Sequence, residues 1–365
     1  MLFILLFLLI LVLCIILFLQ HPQFGKLSSG DRLERIKQSS HYKNGEFKNI
    51  HFTPTLVEGV SALKATRQFF FEKSKQNKPN GVLPSIKTNL LTTGSDENYL
   101  VWFGHSSYFI QVDGKRILVD PVFSGAASPI PVTTKSFKGS DIYTTDDFPE
   151  IDFLFITHDH WDHLDYPTVK KLIPKVKCII TGLGTGAHLE YWGYEKNKII
   201  EKDWNESIQL SDQFVLHATA ARHFSGRFFK RNMVSWMSFA LHTPSKKLFI
   251  GGDSGYDTHY AEIGNAYGPF DLAILECGQY NENWKYIHNL PEEAVQAAID
   301  LKAGKILPVH WGKFSLSLHS WDEPIKRLVA EAEKKNLDVV HPMIGEKVDL
   351  DSTMQFQKWW ELPLN

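Results

Sequence analysis

Six residues constrain this chain more than any other feature: His158-Asp159-His160-Trp161-Asp162-His163, placed directly after the largely apolar run Phe153-Leu154-Phe155-Ile156-Thr157. A run of this kind reads as a buried strand. Crowding three imidazoles and two carboxylates at its end is costly unless something satisfies them. A metal site does so, because neutral imidazoles and carboxylates are the natural donors for divalent cations. On an extended chain, residues two apart point the same way, so His158 and His160 share a face. Asp162 and His163 come from the turn that follows, so one segment can serve two ions.

Further donors recur after later apolar runs. His223 follows the segment ending at Ala221, Asp253 follows residues 248–252, and His310 follows residues 306–309. Singly, each reads as a packed or surface residue, or for Asp253 a turn or helix cap. Their joint placement at strand ends is where sites on α/β scaffolds gather.

Composition narrows the function. Lys+Arg 39 against Asp+Glu 41 gives a net charge of −2, so no basic excess points to nucleic acid as a partner. Cys14, Cys178 and Cys277 are the three cysteines and are far apart in the sequence. They spell neither a disulfide framework nor a cysteine-based zinc site. Cys277 reads as a buried, inert thiol.

Residues 1–19 carry no charged side chain. Hydropathy predicts a retained, single-pass transmembrane helix over 1–20. A cleaved signal peptide would want a basic start and a small-residue cleavage site, and neither is present. Lys26, Arg32, Arg35 and Lys37 follow the run, so the positive-inside rule places the catalytic body in the cytoplasm. Residues 21–95 read as a linker and an N-terminal helical extension with helical pieces near 56–76. Residues 96–350 read as the catalytic domain and 351–365 as a tail. Alternating residues on both sides of Asp113-Gly114 predict a hairpin. Apolar runs near 99–103, 153–156, 178–180, 214–216, 236–241, 248–250, 272–275 and 306–309 predict strands. Helices are expected over 292–301 and 325–335, each after a proline suited to a first helical position. Early hairpins followed by mixed strands and helices predict an α/β fold with αββα layering.

The pattern H-x-H-x-D-H with a distant His, Asp and His resembles the metallo-β-lactamase superfamily. Residue by residue, the resemblance implies that His158, His160 and His223 hold one metal. Asp162, His163 and His310 hold the other, and Asp253 bridges the two. Further segments occur in order: Trp102-Phe103-Gly104-His105, Asp120-Pro121-Val122-Phe123, Ala127-Ser128-Pro129, Gly251-Gly252-Asp253-Ser254-Gly255-Tyr256, Gly268-Pro269-Phe270-Asp271-Leu272-Ala273, Tyr286-Ile287-His288, Pro291-Glu292-Glu293-Ala294-Val295 and His310-Trp311-Gly312. Together they look like the N-acylphosphatidylethanolamine-hydrolysing phospholipase D branch and its bacterial relatives, over roughly residues 99–348.

That branch implies cleavage of a phosphodiester, releasing an N-acylethanolamine and phosphatidic acid. It implies two divalent ions, zinc favoured by the donor set and iron or manganese also accepted. It also implies a homodimer. Such an ion pair, about 3.5–4 Å apart, makes a bound water acidic and neutralises developing phosphoryl charge, so no Ser or Cys nucleophile is required. The resemblance places His288 beside the substrate as a proton donor, which with Asp162 makes the expected catalytic pair. His105 is a second pocket candidate, and Asp120 is expected to buttress a ligand histidine. Arg222 and Arg227 could meet phosphate, although solvated loop residues are the plainer reading. Trp161, Phe228, Phe229 and Trp284 could line an acyl groove or serve as core. Lactones, β-lactams and soluble phosphodiesters are competing substrates on such a scaffold. A membrane-tethered, non-catalytic binding protein is the reading from another class. The expected partners are a phospholipid or other phosphodiester and a membrane.

Overall fold

The computed structural model describes residues 2–227 and 230–364. Among them, two seven-stranded sheets carry the fold. The first runs in the order Lys347–Asp349, Tyr99–Trp102, Tyr108–Val112, Lys115–Val119, Ile151–Ile156, Val176–Gly182, Ile199–Lys202. The second runs Asp338–Val339, Lys305–Val309, Leu272–Glu276, Lys247–Ile250, Ser238–His242, Phe214–Thr219, Ser207–Ser211. In each sheet one half pairs antiparallel and the other parallel. The hairpin expected at Asp113-Gly114 joins Tyr108–Val112 to Lys115–Val119, with Val112 opposite Lys115.

Period-2 alternation shows why these strands lie between layers. In the first sheet Leu100, Trp102 and Ile110 point to the core shared with Phe239, Phe249 and Ile274 of the second. Their neighbours Tyr99, Val101 and Phe109 point the other way, toward Val169, Leu172 and Leu189. Those three belong to the outer helices Tyr166–Leu172 and Thr185–Tyr191. The second sheet is covered by Pro291–Asp300, where Ala294, Val295, Ala297 and Ala298 are buried, and by Glu323–Lys335, where Ile325, Leu328 and Ala332 are. Both helices open on proline near their first position. The αββα layering expected from the sequence is present.

The N-terminal expectation needs correction. The first helix runs Leu2–Leu19, 18 residues; Met1 lies outside the described residues. At about 1.5 Å per residue it extends roughly 27 Å, short of the roughly 30 Å of hydrocarbon in a bilayer. Among the described residues no helix is long and apolar enough to cross a membrane. The expected transmembrane helix over 1–20 is therefore not part of the fold. The single-pass membrane localisation falls with it, as does the cytoplasmic placement drawn from the charges beyond it.

The helix connects to the body through rings. Phe18 meets Phe24 edge-on at 5.3 Å, and Phe24 meets Trp161 in the same way at 5.3 Å. At the other terminus Trp359 and Trp360 are buried. Trp359 stacks on Trp311 at 5.1 Å and donates its indole N–H to Pro342 O at 3.0 Å. The tail thus packs against the residue that follows His310. Trp359→Ala should cost about 3–5 kcal/mol of stability, as for other buried aromatic truncations. A urea titration followed by fluorescence would read this as a lower midpoint; an unmoved midpoint would remove the tail from the core.

Candidate metal centre

Backbone geometry at the strand ends sets the site. His105 (φ 55°), Asp120 (φ 40°) and His310 (φ 69°) occupy the left-handed region, an uncommon conformation for such residues that clusters at functional sites. Reciprocal hydrogen bonds hold two of them: His310 N donates to His105 O at 2.9 Å, and His105 N donates to Trp311 O at 2.8 Å. One sheet end is thereby tied to the other. Gly252 allows the same closeness on the far side. A Cβ there would lie 2.5 Å from Met237 O and 2.9 Å from Thr157 Cβ.

Asp120 organises the first donor segment. Its buried carboxylate accepts from Thr157 N at 2.9 Å, Thr157 Oγ1 at 2.6 Å and His163 Nδ1 at 2.7 Å. Because the Thr157 hydroxyl gives its proton to Asp120, its oxygen accepts from His158 Nδ1 at 3.0 Å. His223 Nδ1 donates to Ile287 O at 2.7 Å. These partners set the tautomers of His158 and His223, so each Nε2 keeps its lone pair for the interior. There His160 Nδ1 lies 2.9 Å from His158 Nε2 and 3.2 Å from His223 Nε2.

Asp253 completes this first group: one donor atom each from His158, His160, His223 and Asp253 falls within 4.8 Å of the others. His105, Asp162, His163 and His310 make a second group on the same criterion. Asp253 lies between the two. Its Oδ1 is 3.1 Å from His163 Nε2 and 3.2 Å from His310 Nδ1, and its Oδ2 is 3.7 Å from His223 Nε2. Buried His163 Nε2 and Asp253 Oδ1 have no hydrogen-bond partner. Converging lone pairs and orphaned buried donors are what a cation would satisfy, so these His/Asp clusters are able to bind metals.

Charge follows the same geometry. Burial, reinforced by neighbouring imidazoles, holds His158, His223 and His310 well below the usual histidine range. Burial also carries His160 down to about 4. His163 goes the other way: burial opposes its charge, but Asp253, Asp162 and the Asp120 hydrogen bond raise it well above the ordinary value. Asp253 is pushed up to about 7, first by burial and further by Glu276. Asp162 is held low; burial would raise it, but His163 and the hydrogen bond from His105 outweigh that.

All seven residues singled out by the sequence meet at this centre. His105 joins them directly, with Nε2 2.8 Å from Asp162 Oδ2. His288 lies in the same cavity and places Nδ1 2.7 Å from Glu276 Oε2. The cavity measures about 560 Å³. His160, Asp162, Asp253 and His288 are in its floor, and Leu56, Phe69, Phe224, Trp284, Ile287 and Leu316 are in its wall.

Other candidates lie elsewhere. Arg227 is buried, donates to Asp159 O, Leu164 O and Gln23 O, and stacks over Trp161. Arg222 bonds Thr53 Oγ1, Tyr256 O and Phe52 O. Neither arginine lines the cavity, and Trp161 does not either. Phe228 and Phe229 lie outside the described residues. Cys277 is fully buried, and burial raises its thiol further above the ordinary range.

Sequence reasoning missed two contributions. Glu276 ends an apolar strand run as Asp253 nearly does, and that shared signal could have found it. The other is the segment before the first sheet. Asn49 pairs its amide with the His223 backbone, accepting from His223 N at 3.0 Å and donating to His223 O at 2.7 Å. The helix Ala62–Phe71 then lies across the cavity, pinned through Gln68 to Asn283 at 2.8 Å. Its contact is long-range, and short-range patterning does not show it.

Metal uptake should depend on pH with a defined sign. His163 and Asp253 both have raised values, so the pair retains a proton near neutrality that a cation must displace. Zinc affinity should weaken as pH falls from about 8 to 6. Calorimetry in buffers of different ionisation heat should show proton release at pH 7; uptake without release would contradict a protonated pair.

Comparison with known proteins agrees with the geometry. A family described as "Beta-lactamase superfamily domain" matches residues 115–311. An uncharacterized protein of Mycobacterium tuberculosis is 37% identical over 330 residues, covering 89% of this chain and 88% of that protein. The mitochondrial N-acyl-phosphatidylethanolamine-hydrolyzing phospholipase D of Saccharomyces cerevisiae is 32% identical over 245 residues, 64% of this chain and 52% of that protein. Among solved structures, Igni18, a metallo hydrolase from Ignicoccus hospitalis, shares the fold with a TM-score of 0.54 at 19% identity, covering 72% of this chain and 100% of that one. The chain belongs to the beta-lactamase superfamily and is a metallo-hydrolase of that family.

Proposed function

We propose that the chain is a phosphodiesterase acting on N-acylphosphatidylethanolamine-like phospholipids with phospholipase D-type cleavage. The observation that carries this reading is the pairing of a His/Asp floor with an apolar wall in one cavity. The floor suits a phosphodiester and the wall suits acyl chains. Leu63, Phe70 and Phe71 on the covering helix extend apolar surface outward, each at least 68% exposed. The activity named for the yeast relative supports the same substrate class.

In this reading His158, His160 and His223 hold one cation, Asp162, His163 and His310 hold a second, and Asp253 is shared. Zinc, the metal best matched to these donors, would supply Lewis acidity toward the phosphoryl oxygens and make a water acidic. Asp162 engages His105 through Oδ2 and offers its other oxygen to orient the attacking water. His288 keeps Nδ1–H on Glu276; charged by a solvent proton on Nε2 before substrate enters, it passes that proton to the leaving oxygen as its bond to phosphorus breaks and returns to the Nδ1–H form. The apolar wall and the covering helix exclude bulk water and seat the acyl chains.

Products identify the reaction. Metal-loaded wild type incubated with N-acylphosphatidylethanolamine in detergent should release N-acylethanolamine and phosphatidic acid by mass spectrometry, and Asp162→Ala should not. A wild type carrying two metals and yielding no product would end the lipid reading. Asp253→Ala should lose metal and turnover together, and retention of both ions would remove the bridging role. His288→Ala should keep its metal and lose about 10²–10⁴-fold in kcat.

A further inference from the structure

Glu276 is a buried carboxylate outside the seven expected ligands. It closes the strand Leu272–Glu276, whose residues are all buried, and it is about 1% exposed. An unpaired carboxylate at such a position is heavily penalised, and this one is fully engaged. Oε1 accepts from Ser254 N at 2.7 Å and from Asn289 N at 3.3 Å. Oε2 lies 2.7 Å from His288 Nδ1.

These contacts are specific in where they land. Ser254 directly follows Asp253, and Asn289 directly follows His288. One carboxylate therefore fixes the backbone beside the central aspartate, the backbone beside the cavity histidine, and that histidine's ring. With Nδ1 taken by Glu276, Nε2 is the nitrogen left to the cavity. The ring is further confined between His223 at 5.0 Å and His310 at 5.2 Å. Packing alone would leave an imidazole free to flip by half a turn, exchanging its nitrogens. The carboxylate selects one orientation and one tautomer.

We propose that Glu276 is a positioning residue that holds His288 with its proton on Nδ1 and Nε2 facing the substrate. This rests on the role given to His288 above, and the test separates the two ideas. Glu276→Gln preserves shape, but its amide presents an N–H to Nδ1 and should drive the ring proton to Nε2. The full-length, zinc-loaded wild type, Glu276→Gln, His288→Ala and the double variant would be compared on N-acylphosphatidylethanolamine micelles and on bis(4-nitrophenyl) phosphate. Glu276→Gln should lower kcat by about 10- to 100-fold with KM and zinc content unchanged. In the His288→Ala background the same change should cost less than about twofold, because the residue it positions is gone.

Multiplying losses in the double variant would overturn the proposal, as would an unaffected Glu276→Gln beside a slow His288→Ala. If His288→Ala were itself as fast as wild type, the catalytic role of His288 would fail, and spectra would still decide on Glu276. In ¹⁵N-histidine NMR of the full chain, the ring whose signals vanish in His288→Ala should be the Nδ1–H tautomer in wild type and Nε2–H in Glu276→Gln. An Nε2–H ring in the wild type would refute the assignment, even where the variant failed to fold.

Discussion

The centre depends on the buried carboxylate of Asp120. It sits at the end of one strand in a left-handed conformation and accepts three hydrogen bonds, from the Thr157 amide, the Thr157 hydroxyl and the His163 ring. Water would satisfy a carboxylate at little cost; inside a protein it must find partners or be penalised by several kcal/mol. Here those partners are the start of the donor segment itself. Satisfying one charge therefore orients His163 directly and His158 through Thr157. The ring orientations of His163 and His158 follow from that arrangement, while His223 takes its own from Ile287 O.

The donors are brought together by the meeting of two sheets rather than by any one segment. His105 and His310 come from different sheets and share backbone hydrogen bonds in both directions. Gly252 removes the side chain that would keep Met237 O and Thr157 at a distance. The convergence is rigid because it is built on strand ends and on the packed Trp102, Trp311 and Trp359 rings behind them.

Much of this was legible in the residues. Apolar runs marked strands such as Ile151–Ile156 and Lys305–Val309, and polar donors at their ends marked the centre, because both signals are local. The edge strands Lys347–Asp349 and Ser207–Ser211 were not marked; they are short and partly exposed, so burial leaves little pattern in them. Hydropathy alone misjudged the first helix, since an apolar composition does not fix a length sufficient to span. The arginines beside His223 suggested anion contacts, yet Arg227 is consumed by backbone carbonyls and a tryptophan face. Asn49 and Glu276 were hidden for a common reason: each acts on a residue far away or in a separate loop, through contacts with no sequence period.

The helix Ala62–Phe71 has a consequence of its own. The polar floor is drawn mostly from loops at strand ends, whereas the wall borrows Ala65, Thr66 and Phe69 from a helix that earlier sequence supplies and that Asn283 holds through Gln68. Part of the wall therefore comes from a segment that supplies none of the donors, and part from residues beside them such as Phe224 and Ile287. Ala65, Thr66 and Phe69 touch the cavity without being among the donor residues, so the shape of its mouth and the identity of its donors are written in different stretches of sequence.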